Sequence, residues 1–236
     1  MKNFILTTSM FVLIMTVSMA TADADETTPV TGATAVQATQ DNSATGSVSA
    51  GVFNRYVFRG YELGAHSAII QPAMTVSYKG FSASMWGNID TDEHPTQSFV
   101  PDREGQKSFN ETDFTLSYTY NIDKLALTGG YVYYGTKYAN ETEEFFISAT
   151  YDTLLKPTLA IYQDINEYSG TYLNLSASKS LSIYKEISLD LGASAGYFIG
   201  SADYWKTYER STGAYTGKKY RGFHDGMVKA GLTIPV

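Results

Sequence analysis

The sequence predicts an all-β protein, an antiparallel transmembrane up-and-down β-barrel of about ten strands. Three observations predict it. Stretches of roughly ten residues alternate apolar with small polar side chains, the period of a strand with one apolar face. The intervals between those stretches tend to alternate between tight and long, as the turns and loops of outer-membrane barrels do. The first 22 residues have the make-up of a secretory signal.

In that leader Lys2 supplies the positive start, Phe4 to Met19 the apolar run and Ala20-Thr21-Ala22 a small-x-small cleavage site. Residues 1–22 are therefore expected to be a cleaved signal peptide. No cysteine follows the run, which excludes a lipoprotein, and no later run approaches the ~20 apolar residues of a membrane-spanning helix. Residues 23–46, rich in Thr, Ala and small polar residues, read as a flexible periplasmic leader. Residues 47–236 read as the barrel. The absence of cysteine rules out disulfide and thiolate chemistry, and a formal charge of −7 argues against a nucleic-acid partner.

The first strand is expected at about Ser47 to Arg59, with Val48, Ala50, Val52, Tyr56 and Phe58 on one face. Gly60 to Ser67 is expected as a loop. The second strand places Pro72, Met74, Val76 and Tyr78 against Gln71, Ala73, Thr75, Ser77 and Lys79. After Lys79-Gly80 the third runs from Phe81 to Asp90. The polar stretch Thr91 to Glu111 is a long loop. The fourth strand alternates Phe114, Leu116, Tyr118, Tyr120 and Ile122 with Asp113, Thr115, Ser117, Thr119 and Asn121. A tight turn at Asn121 to Lys124 leads to the fifth, carrying Leu125, Leu127, Tyr131 and Tyr133. The sixth carries Phe145, Ile147, Ala149 and Tyr151, the seventh Leu159 and Ile161, and the eighth Leu173, Leu175 and Ala177. The ninth runs from Ile187 to Gly200. Ser201 to Gly222 is another long loop, and Phe223 to Ile234 the tenth strand.

The polar face is built from Ser, Thr, Asn and Gly rather than from Lys/Glu ladders. A soluble sheet sends large aliphatics inward and charges outward. Here small polar groups are expected to face a lumen and apolar groups to face lipid, with Tyr78, Phe81, Tyr118, Tyr120, Tyr131, Tyr133, Tyr151 and Tyr197 forming interfacial girdles. The competing reading is a secreted β-sandwich.

Charges on the polar face are the candidate pore-lining residues: Arg55, Arg59, Lys79, Asp90, Asp113 and Asp190. They set ion preference as charged rings do, or they pair to brace a filled interior. A rim enzyme is a further alternative, in which Asp92 and His224 would meet across the rim as an Asp–His pair that activates a water. Asp92, Glu93 and His94, with Asp102 and Glu104 nearby, offer oxygens for a Ca²⁺ ion, in a spacing that matches no EF-hand loop. No cofactor motif is present.

At Tyr56-Val57-Phe58-Arg59-Gly60, then Gln71-Pro72-Ala73, Gly80-Phe81 and Trp86-Gly87-Asn88, the chain resembles the TorF-like porin family of proteobacterial outer-membrane proteins. The resemblance covers Ser47 to Val236 and implies a β-barrel with a channel role. Barrels of this kind end in a strand with a terminal aromatic read by the barrel-assembly machinery. This chain ends Ile234-Pro235-Val236, and Pro235 removes a ladder donor from a closing strand. The expectation is a further hairpin after Val236, making twelve strands, or an unusual ten-strand barrel.

The leading functional expectation is a narrow passive channel for ions or small polar solutes in the bacterial outer membrane. Its partners would be outer-membrane lipid, the barrel-assembly machinery and the solutes; the oligomeric state stays open. The alternatives are a structural or surface-binding barrel acting through its outer loops, and a rim protease or lipid-modifying enzyme.

Overall fold

The computed structural model describes residues 15–19, 43–98, 100–185 and 187–235. The expected signal peptide lies outside the described residues except for 15–19, and the expected leader except for 43–46. The strands are β1 (Met15–Met19), β2 (Thr45–Phe58), β3 (Tyr61–Tyr78), β4 (Phe81–Glu93), β5 (Gln106–Ile122), β6 (Leu125–Thr136), β7 (Thr142–Tyr151), β8 (Thr158–Asp164), β9 (Gly170–Tyr184), β10 (Ile187–Gly200), β11 (Lys206–Tyr208), β12 (Tyr215–Lys219) and β13 (Arg221–Pro235).

The ten strands β2 to β10 and β13 form one curled antiparallel sheet, in which β2 to β10 pair in sequence order and β13 pairs with β10. They fall where the ten alternating stretches are expected. β1 lies between the first and last, antiparallel to β13 and parallel to β2, and completes the ring. A ring of eleven strands cannot alternate direction throughout, so one parallel pair is obligatory. β11 and β12 form a separate hairpin in the 201–220 connection.

Two expectations are corrected. Residues 60–67 are not a loop: β2 and β3 meet at a two-residue turn, Arg59-Gly60, and β3 runs unbroken from Tyr61. The first connection is therefore tight. Its sequence, Phe-Arg-Gly-Tyr, repeats as Tyr78-Lys79-Gly80-Phe81 at the other end of the barrel, and both central pairs have left-handed φ values (46° and 82°; 48° and 87°). A basic residue followed by glycine satisfies the primed hairpin turn, which needs positive φ twice.

The second correction concerns the faces of the first strand. Tyr56 and Phe58 do not share a face with Val48 and Val52. Pairing between β2 and β3 skips at Phe53/Arg55 and again at Tyr56/Val57, opposite a left-handed His66 (φ 60°). Such irregularities shift the side-chain alternation and bend the strand. Val52 stays exposed, whereas Tyr56 becomes fully buried.

Burial in the sheet is inverted relative to a soluble fold. Along β5, Phe114, Leu116, Tyr118, Tyr120 and Ile122 are all exposed, while Asp113 retains only 4% of its surface. Exposed Met74, Val76, Met85, Leu127, Ile147, Leu159, Leu175, Leu191 and Val228 extend this apolar belt. Bordering it are two rows of exposed aromatics. Tyr78, Phe81, Tyr118, Tyr120, Tyr151 and Tyr184 lie toward the turns, and Phe109, Phe145, Tyr197 and Phe223 toward the loops. Phe81 and Tyr118 pack at 4.6 Å and Tyr131 and Phe145 at 5.6 Å, joining adjacent strands. Inside, toward the turns, cross-strand hydroxyl pairs line the wall: Ser77–Ser82 at 2.6 Å, Thr119–Thr128 at 2.9 Å and Thr150–Thr158 at 2.9 Å.

Candidate functional site

The interior toward the loops is closed by packed polar groups, and the β2–β3 tip supplies the central one. The irregular pairing below Tyr56 tips the hairpin inward, so Gly60 comes to rest against Asp225 of β13. Arg59 then reaches across the ring to Glu144 on β7. Its Nη1 donates to Oε1 at 2.6 Å and its Nη2 to Oε2 at 2.7 Å, a bidentate pair in which both partners are buried. Tyr134 donates its hydroxyl to the same Oε2 at 2.9 Å. Three rings enclose the guanidinium: Phe58 at 4.7 Å, Tyr162 at 4.8 Å and Tyr172 at 4.3 Å. A planar, weakly hydrated cation suits such a box.

Two further clusters flank this knot. On the β8–β9–β13 side, Tyr172 donates its hydroxyl to the Asp225 carboxylate at 3.0 Å and accepts from Asn174 at 3.2 Å. Asp164 accepts from Thr142 at 2.7 Å and from the Asn166 backbone at 3.0 Å. On the β3–β4–β5 side an amide relay runs in one direction. Gln71 donates to Asn88 at 3.1 Å, Asn88 to Asn110 at 2.7 Å, and Asn110 to Glu93 at 3.1 Å. Ser108 also donates to Glu93, and Tyr138 does so at 2.6 Å. The three amide bonds all run toward the carboxylate, so each polarises the next. Glu93 has no exposed surface, and the donors that meet it are neutral.

The six sequence candidates fall in different places. Arg59 sits at the centre of the closed region. Asp90, fully buried, accepts from Ser67 at 2.6 Å, and Asp113 is buried on β5. Asp190 lies part-buried on β10, paired with Ser180 and Gly231. Arg55 is exposed and bridges to Glu62 at 3.1 Å, because the pairing skip at Phe53/Arg55 takes it out of the interior row. Lys79 is exposed at its turn, over the Tyr78 ring at 5.2 Å. Asp92 and His224 are not brought together as a reacting pair. Asp92 lies 3.6 Å from His94, and His224 packs among the rings of Tyr61, Tyr172, Phe198 and Tyr220 at 5.5 to 6.3 Å. Among the described residues no group of three or more His, Asp or Glu is placed to hold a metal ion.

Sequence reasoning missed Glu144, Tyr134, Tyr162, Tyr172 and Asp225. The signal was present for Tyr162 and Tyr172: each alternates with an apolar residue assigned to the outer face (Ile161 and Leu173), which marks both tyrosines as inward. Comparison with known proteins returns no match among family models, curated proteins or solved structures.

Proposed function

We propose that the chain is a bacterial outer-membrane β-barrel of the TorF-like porin kind, and that its interior is a narrow passage for ions or small polar solutes held shut at the loop end by Arg59. The observation that carries the membrane reading is the inverted burial. A belt of exposed Met, Val, Leu, Ile and Phe between two aromatic rows costs free energy in water and none in hydrocarbon. Carboxylates and amides fill the interior instead. The passage reading draws on the small hydroxyl-lined wall toward the turns; the closure draws on the Arg59–Glu144 knot. Opening requires that the hairpin tip swing out and that the Arg59–Glu144 pair part.

Two measurements separate these claims. Flotation of refolded protein with liposomes, with tryptophan and tyrosine quenching by brominated lipid, tests the membrane reading; protein that stays with the aqueous fraction sinks it. Planar-bilayer recording tests the passage. Wild type is expected to conduct in brief openings, and a barrel with Arg59→Ala and Glu144→Ala together to conduct steadily. A double variant that is folded, inserted and silent overturns the passage. In that case the second reading takes over, a barrel that works by binding at its loops. One observation favours it: the 201–220 connection is built into a 3₁₀ turn (Asp203–Trp205) and the β11–β12 hairpin rather than left as open loop.

A further inference from the structure

The 201–220 connection and Tyr61 from the β2–β3 tip border an open basin of about 440 Å³ lined by Tyr61, Tyr204, Trp205, Lys206, Tyr220 and His224. We infer that this basin binds a saccharide. The inference rests on the loop-binding reading and is independent of conduction.

The rings are held in place before any ligand arrives. Trp205 donates its indole N–H to the Tyr168 carbonyl at 2.8 Å and packs on Phe198 at 4.2 Å. Tyr204 stands edge-on to it, at 5.0 Å and 83°, and is itself met by Tyr168 at 4.9 Å. Tyr220 donates its hydroxyl to the Phe223 carbonyl at 2.6 Å. Fixed aromatic walls lose little entropy on binding. Their electron-rich faces suit the weakly positive C–H face of a pyranose ring. The sugar hydroxyls then need donors and acceptors at the rim. The Tyr204 hydroxyl, on a side chain 65% exposed, and the Lys206 amine are both at hand.

The charge around the basin argues against the other ligand that aromatic walls attract, a quaternary ammonium. Lys206 lies 2.7 Å and Lys219 3.6 Å from Asp203, so two amines share one carboxylate and the patch is net positive. The Lys206 amine holds the Asp203 carboxyl below its usual range, and both stay charged at neutral pH. A volume near the low end of small-ligand pockets fits a short oligosaccharide rather than a long polymer.

The test uses the full refolded chain in detergent, checked for folding by heat-modifiable migration in electrophoresis. Maltotriose, a galacturonic acid trimer and choline are titrated in turn by calorimetry, with tryptophan fluorescence (Trp86 and Trp205) as a second readout. At least one of the two sugars is expected to bind, and Tyr204→Ala to weaken it about tenfold. Trp205→Phe, which loses the indole bond to the Tyr168 carbonyl along with the fluorophore, is expected to weaken binding and to remove the fluorescence change. Choline binding in place of the sugars overturns the inference, as does silence toward all three, or sugar binding that Tyr204→Ala leaves unchanged. A silent lumen in bilayer recordings has no bearing on these outcomes.

Discussion

Arg59 and Glu144 stand 85 positions apart in the chain and meet in the middle of the ring through two parallel hydrogen bonds. One side chain comes from a hairpin tip and the other from a strand in the facing wall. The pair therefore holds two parts of the sheet that share no ladder. Taking one partner away strands the other charge in a buried site. Glu144→Gln is expected to cost about 3–5 kcal/mol, while the double replacement Arg59→Met with Glu144→Leu recovers most of that loss. Denaturant unfolding of the refolded protein measures both. Equal losses in the single and double variants would show that the charge pair is not the element that holds the tip.

Gly196 tests the packing around Asp225. A Cβ at this position would run into the Asp225 carboxylate and the Tyr172 hydroxyl. Gly196→Ala is expected to destabilise the barrel by about 1–3 kcal/mol. Gly46→Ala meets nothing nearer than 3.9 Å and is the control, expected to be near neutral. The two midpoints should differ clearly; coincident midpoints would mean that the Tyr172–Asp225 contact yields freely.

The amide relay ending on Glu93 makes a directional prediction. Asn110→Leu removes the donor to Glu93 and the acceptor for Asn88 in one step. Gln71→Leu removes only the first donor. With about 1–3 kcal/mol lost for each buried group left unmatched, Asn110→Leu should cost at least twice as much as Gln71→Leu. A reversed order in unfolding measurements would contradict the relay.

The seam makes a prediction about processing. On the export reading, cleavage after residue 22 removes β1 and leaves ten strands, an even number that alternates direction throughout. Val17 is paired with Ala50 on one side and Ile234 on the other, so direct closure sets Ala50 against Ile234. In this cysteine-free chain, Ala50→Cys with Ile234→Cys should form an intramolecular disulfide in the exported protein. A pair that stays reduced, while Ala50→Cys with Ala230→Cys links instead, would place the seam in another register.

Much of this architecture is legible in the sequence because a period of two is a local property. Phe114 to Ile122 announces its faces without any knowledge of the neighbours. The inward hairpin tip is not legible in that way. Phe58-Arg59-Gly60-Tyr61 and Tyr78-Lys79-Gly80-Phe81 are one pattern with one turn geometry, yet Arg59 is buried and Lys79 is exposed. What separates them is the pairing skip at Phe53/Arg55, which depends on how β3 lies beside β2. The same skip is why Arg55 left the interior row while Arg59 entered it. Glu144 was equally hidden, because its significance is a partner on the far wall.

The walls of the ring are of unequal height. β3 has eighteen residues and β8 only seven. At about 3.3 Å per residue and a tilt near 40°, that is about 45 Å of rise against about 18 Å, on either side of the ~25 Å that hydrocarbon demands. On the membrane reading, lipid beside β8 must pinch to meet a wall too short for it. Such a mismatch is relieved when another protein covers the low side. A lopsided staves-and-hoop shape thus gives the molecule a preferred flank, and marks β7–β8 as the direction from which a neighbour in the same leaflet would gain most by approaching.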